Sequence, residues 1–218
     1  KITVLENLLP RHAPAPSPAP ARSYQTGRNQ SPRLRIGYFG QMSALKGIKV
    51  LAQAAKRLHE RRIDGISFDI FGDYSNQPPD FQAEIEQILH DTDLSTNFNY
   101  HGPYENEDVH ALMQSVDIVI VPSIWWENSP VVIQEALASR RPVICSNIGG
   151  MAEKVRPGLD GWHFRAGDAG SLVALLEDLL HNPRAIGQVG KSLSVPAPPS
   201  QQLREHIRLY AEIRGTQP

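Results

Sequence analysis

From residue 34 onward, short β-rich runs alternate with helical runs, and few folds accept that order. The β-rich runs are 34–39, 66–71, 97–101, 117–121, 142–145 and 161–164. Helical runs fill the gaps at 44–60, 81–90, 106–115, 130–139, 149–155 and 169–180. The β runs are continuously apolar, as in strands covered on both faces. The expectation is therefore an α/β domain of three layers, with a parallel sheet of about six strands between helices. A last amphipathic helix is expected at 201–213, with Leu203, Ile207, Tyr210 and Ile213 at helical spacing. No internal repeat is present.

This divides the chain of 218 residues. Residues 33–193 form the α/β domain, and residues 194–218 a C-terminal extension and helix. Residues 10–32 begin with the tract Pro10-Arg11-His12-Ala13-Pro14-Ala15-Pro16, which lacks core-forming side chains and reads as a Pro/Ala-rich linker. Residues 1–9 then read as the remnant of a preceding domain. The chain starts at Lys1 rather than Met, without signal-peptide organisation, and a piece of a longer protein is expected.

Composition excludes several classes. The net charge is -1, so bulk nucleic-acid binding is not implied. The one cysteine, Cys145, rules out an internal disulfide, fits a reducing compartment and reads as a buried small hydrophobe. No apolar stretch is long enough to span a bilayer. No Cys/His/Asp cluster has metal-ligand spacing, and no metal is expected.

The most telling residues are Glu127 and Glu135. Run 117–121 feeds a loop that Glu127 closes; Pro130 then opens a helix, with Ser129 as its expected N-cap. That helix is apolar nearly all round (Val131, Val132, Ile133, Ala136, Leu137), yet it carries Glu135. The places three and four residues away hold Val131, Val132, Ala138 and Ser139, so no helical salt bridge is available. Glu135 then forms a long-range ion pair, points out through a gap, or accepts hydrogen bonds from ligand hydroxyls. The adjacent helix N-terminus suits a phosphate.

Ligands of open α/β sheets bind outside the carboxyl ends of the strands. Here those ends are 40–47, 72–76, 102–104, 122–128 and 146–150. Lys46 is the one cation of the first loop, where it opposes the helix dipole; it is either a solvated lysine or a ligand contact. Tyr104 either stacks on a base or covers the sheet edge. His101 reads as a structural hydrogen-bonder. Gly149-Gly150 lets backbone approach a ligand, or makes a plain turn. Trp125-Trp126 lines a sugar site, or walls the core or a cleft.

Several of these segments together resemble a known family. They are Phe39-Gly40-Gln41 to Lys46-Gly47, Pro122-Ser123 to Glu127, the two glutamates, Pro142-Val143-Ile144, Gly149-Gly150 with Glu153, and Gly158-Leu159-Asp160-Gly161. In this order they resemble the C-terminal, nucleotide-binding half of retaining GT-B glycosyltransferases of group 1, sequence family 4, over roughly residues 34–180. The resemblance implies a Rossmann-like domain, one half of a GT-B fold. It implies retaining transfer of a hexose-type sugar from a nucleotide-diphosphate sugar to a glycan or lipid-linked acceptor, as in polysaccharide biosynthesis, without a required metal or other cofactor.

Carried onto this chain, Glu127 would touch donor-sugar hydroxyls and Lys46 would neutralise the diphosphate as the leaving group departs. Glu135 would bind the ribose, and Tyr104 would lie near the base. Asn128 and Ser129 would offer amides at the helix N-terminus, with Pro130 and Val131 completing the donor site. Gln41 stands where the family commonly has a diphosphate-binding arginine; it can donate a hydrogen bond but has no charge. Pro130 lacks an N–H, so one amide contact is missing. The implied partner is an N-terminal acceptor domain of the same protein, without which this chain alone would turn over little. The implied location is cytoplasmic, at the inner membrane face where the acceptor is lipid-linked. Two other readings keep the fold: a nucleotide-sugar epimerase, and a non-catalytic nucleotide-sugar-binding module.

Overall fold

The computed structural model describes residues 34–193 and 199–214. The expected linker at 10–32, the remnant at 1–9 and the break at 194–198 lie outside the described residues.

Six strands form one all-parallel sheet: β1 Leu34–Phe39, β2 Ile66–Phe71, β3 Phe98–Gly102, β4 Ile118–Val121, β5 Val143–Ser146 and β6 Gly161–Phe164. The helices are α1 Ile48–Glu60, α2 Pro79–Leu89, α3 Val109–Gln114, α4 Val131–Ala138, α5 Gly149–Lys154, α6 Ala169–His181, α7 Pro183–Ser192 and α8 Pro199–Arg214. The sheet order is β3-β2-β1-β4-β5-β6. The chain thus runs outward from β1 to β3, then returns to place β4 on the other side of β1. In register, Ile36 pairs with Phe68 on one side and Ile118 on the other.

The central strands divide their residues between two apolar layers, whereas the edge strand β3 buries only Phe98. Ile36, Tyr38, Phe68, Ile70 and Ile120 face α1, α2 and α6. Phe39, Phe71, Val119, Val121 and Val143 face α3, α4 and α5. Helix α1 buries Ile48, Leu51, Ala52, Ala55 and Leu58, the stripe that helical periodicity requires.

Three local readings change. The helix expected at 44–60 is a 3₁₀ turn, Ala44–Lys46, then α1, broken at Gly47 with φ 76°. A Cβ there would stand 1.9 Å from the Pro122 carbonyl oxygen, so only glycine fits. At α4 the N-cap is Pro130, in extended backbone, with Ser129 one position outside. The residue before a proline is driven from helical geometry, and the Pro130 carbonyl accepts the first bond, from the Ile133 amide at 3.2 Å. Helix α7 was not expected, because Gly187 and Gly190 weaken its helical signal. It nonetheless buries Ile186 and Val189. In α8, Leu203, Ile207 and Tyr210 are exposed.

Candidate functional site

The return of the chain at β4 makes a switch point between β1 and β4, where strand-end loops part and leave a crevice. The loop after β4, residues 122–128, is fastened on both flanks. On one flank the Ile124 amide donates to the Leu45 carbonyl at 2.9 Å, beside the Gly47–Pro122 approach. On the other, the Gly150 amide donates to the Glu127 carbonyl at 2.7 Å. A Cβ on Gly150 would lie 1.8 Å from the Asn128 carbonyl oxygen. The close approach that Gly149-Gly150 permits is therefore to the chain's own loop.

This fastening brings Glu127 to Lys46. Lys46 Nζ lies 2.7 Å from Glu127 Oε1, and Ser123 Oγ donates to the same oxygen at 2.9 Å. The Glu127 side chain is mostly buried, whereas that of Lys46 is 43% exposed and reaches the crevice.

The crevice has a volume of about 490 Å³. Gln41, Lys46, Tyr104, Pro130, Val131 and Glu135, all singled out in the sequence, line it. Ser123, to which sequence reasoning gave no role, lines it too. Glu127, Asn128 and Ser129 are not among its lining residues; Glu127 stands behind Lys46 and Ser123. The only signal for Ser123 was its place in the Pro122-Ser123 to Glu127 run.

Glu135 faces the crevice from α4, and its carboxylate has no hydrogen bond or ion pair among the described residues. Burial raises its pKa. The long-range ion pair considered from sequence is thus not found among the described residues. Tyr104 packs edge-on against Phe39, ring centroids 5.9 Å apart. Burial, then the Glu135 charge, pushes its hydroxyl up to about 12, so it stays a neutral donor. The Gln41 carbonyl accepts from the Tyr38 hydroxyl at 2.8 Å, which fixes the backbone while leaving the side chain exposed.

The remaining candidates sit elsewhere. His101 stacks on Phe71 at 4.5 Å and hydrogen-bonds Asp69 at 2.8 Å, a structural role as expected. Trp125 and Trp126 are 56% and 69% exposed and line neither the core nor the crevice. Cys145 is fully buried with its thiol pushed up to about 12 by desolvation. Among the described residues no group of three His, Cys, Asp or Glu side chains could hold a metal ion. No described helix is long and apolar enough to cross a membrane.

Residues 25–192 match the family described as glycosyl transferases group 1. This chain belongs to that family. One relative is a D-inositol 3-phosphate glycosyltransferase of Arthrobacter sp., 27% identical over 76% of this chain and 38% of its own length. Among solved structures, Anabaena HepE in complex with UDP-glucose superposes with a TM-score of 0.73 at 20% identity, over 83% of this chain and 49% of that one. The C-terminal domain of a group 1 family protein, LpcC of Francisella tularensis, gives 0.64 at 19% identity, over 78% of this chain and 86% of that one. At these identities the superpositions establish the three-layer fold. The chain spans only 34–44% of the length of the first curated relatives it matches.

Proposed function

We propose that this group 1 glycosyltransferase chain is the donor-binding, C-terminal half of a retaining enzyme. Residues 33–193 would hold a nucleotide-diphosphate sugar, and a hexose-type sugar would pass to a glycan or lipid-linked acceptor. The observation that carries this reading is the shared crevice. It is lined both by Lys46 and Ser123, which hold Glu127, and by an unpartnered, partly buried Glu135.

The roles follow from chemistry. A carboxylate without protein donors is suited to vicinal hydroxyls, and Glu135 would take those of the ribose. Lys46 would give its charge to the diphosphate and stabilise the departing leaving group. Glu127 would accept from a sugar hydroxyl, and Tyr104 would lie beside the base. The amides of Val131 and Val132 precede the first helical bond of α4, so they would face the phosphate, with Asn128 and Ser129 supporting the loop. Neutral Gln41 would donate one hydrogen bond where an arginine would give two and a charge. The acceptor would come from an N-terminal half, with residues 10–32 as the linker and α8 in the extension after the domain. No metal enters this scheme. The protein would work in the cytoplasm, at the membrane face where the acceptor is lipid-linked.

One observation favours a second reading. The one lysine of the crevice is already neutralised by Glu127, and Gln41 adds no charge. A module that binds nucleotide sugar without transferring it would tolerate both.

The test is calorimetric titration with UDP, GDP and ADP and their glucose conjugates, repeated with Glu135→Ala. Saturable binding of one nucleotide, lost in the variant, supports the donor site and names the base. No binding by folded protein, or binding indifferent to Glu135, overturns it. Little or no transfer is expected from this chain alone; full transfer would remove the need for a second half.

A further inference from the structure

Ser123 is 1% exposed, yet its hydroxyl stands between the crevice and Glu127. It occupies the second position of the loop after β4. That loop is held on both flanks, by Gly47 and the Leu45 carbonyl on one and by Gly150 on the other. Its Oγ and Lys46 Nζ both donate to Oε1 of Glu127, and Oε2 accepts no hydrogen bond from the described residues.

The two donors differ. Lys46 is a long side chain, nearly half exposed and lining the crevice, so a bound anion competes with Glu127 for it. Ser123 is short, buried and set on a pinned backbone. A carboxylate left with no fixed donor rotates freely about its last torsion, which is broad for glutamate.

We propose that Ser123 is a positioning residue. It holds Glu127 by Oε1 when an anionic ligand draws Lys46 away, and so presents Oε2 to the ligand's hydroxyl. This rests on the donor-site reading above for the identity of the ligand, but not for the contact with Glu127.

The alternative is a buried hydroxyl that merely finds the nearest acceptor. Ser123→Ala removes only the hydroxyl, and its effects separate the two. The probes are UDP and UDP-glucose, or the GDP or ADP pair that the chain binds. Losing a hydrogen bond to a charged group predicts about a tenfold fall in affinity for the sugar conjugate. Affinity for the free diphosphate should stay within about twofold, as for a site that does not share the contact. In a Glu127→Ala background the Ser123 substitution should have no further effect on either.

Equal losses for both ligands, or an undiminished loss in the Glu127→Ala background, would overturn the proposal. A ligand-free arm keeps it separate from the donor reading. The carboxyl carbon resonance of Glu127, assigned with Glu127→Gln, should move in Ser123→Ala. If wild-type protein binds no nucleotide while that resonance moves, the donor reading fails and the positioning contact stands. If the resonance does not move, the contact is absent in solution and the proposal fails.

Discussion

Lys46 and Glu127, 81 positions apart in sequence, meet through a 2.7 Å charge-assisted hydrogen bond at the edge of the crevice. The pair joins the loop after β1 to the loop after β4. Its lysine end is 43% exposed and open to solvent screening, and such pairs contribute only about 0–1 kcal/mol to stability. Lys46→Met should therefore move the melting temperature by less than about 4 °C. Nucleotide-diphosphate affinity should fall at least about tenfold, since a charge-assisted bond to phosphate is lost. Calorimetry and thermal denaturation on the same samples check both. Unchanged affinity would remove Lys46 from the donor site.

Glu135 should show the opposite balance. Its carboxyl pKa is raised by burial, so the charged form is disfavoured in the folded state. A raised folded pKa means that the native state binds more protons than the unfolded state between the two values. The associated stability is full below the ordinary glutamate range and is lost as pH rises through the folded pKa. At neutral pH the folded chain carries that cost. Glu135→Gln should then melt higher at pH 7, by about 2–4 °C for each kcal/mol recovered, and no higher near pH 3.5. Nucleotide binding should weaken in the same variant, and wild-type affinity should fall as acid protonates the carboxylate. A variant less stable at pH 7 would contradict the burial argument.

Two glycines should respond in opposite directions to alanine. At Gly150 a methyl group would overlap the Asn128 carbonyl, and backbone cannot yield as a side chain can. Gly150→Ala should cost about 1–3 kcal/mol and loosen the Glu127 loop. Gly187 is exposed in α7, and a Cβ there meets nothing within 4 Å. Gly187→Ala should gain about 0.5–1 kcal/mol from helix propensity. Urea midpoints at constant slope measure both.

Cys145 should be silent. Its thiol is fully buried and pushed up to about 12, so thiolate is scarce at pH 8. A disulfide reagent should label it only at the rate of unfolding, and fully in denaturant. Rapid labelling of native protein would show that β5 opens to solvent.

The sheet was legible chiefly because its buried parallel strands carry their signal in apolar runs. The exposed edge strand β3, Phe98-Asn99-Tyr100-His101-Gly102, lacks that run. It was legible from the β-favouring aromatics Phe98 and Tyr100 and from its place in the alternation. Each observed strand lies within one residue of its expected bounds. Helix ends were less so. The split at Gly47 answers to the Pro122 carbonyl, a tertiary neighbour that local periodicity does not contain. The cap at Pro130 moved by one residue for a local reason, the geometry proline imposes on Ser129. Helix α7 hid behind Gly187 and Gly190, although Ile186 and Val189 were correctly spaced for one face.

The crevice was partly legible. Strand-end loops pointed to Lys46 and Tyr104, the resemblance added Gln41, and Glu135, an isolated acid on an apolar helix, was anomalous without any fold. What no spacing rule could supply was partnership. Lys46 on Glu127 and Gly150 on the Glu127 carbonyl are contacts between loops of different strands, and Ser123 reaches the same oxygen as Lys46 from within Glu127's own loop.

The strand order has a consequence for synthesis. β1 waits for β4, which arrives only after β2 and β3 have been made and paired on its other side. A nascent chain that has emerged through β3 can fold half a sheet, but its first loop then has nothing opposite it. Lys46 is among the earliest of the crevice residues to leave the ribosome, and its carboxylate partner comes 81 residues later. Ligand added during translation should therefore have no grip on the early intermediate, and its stabilising effect should appear abruptly once β4 and α4 have docked.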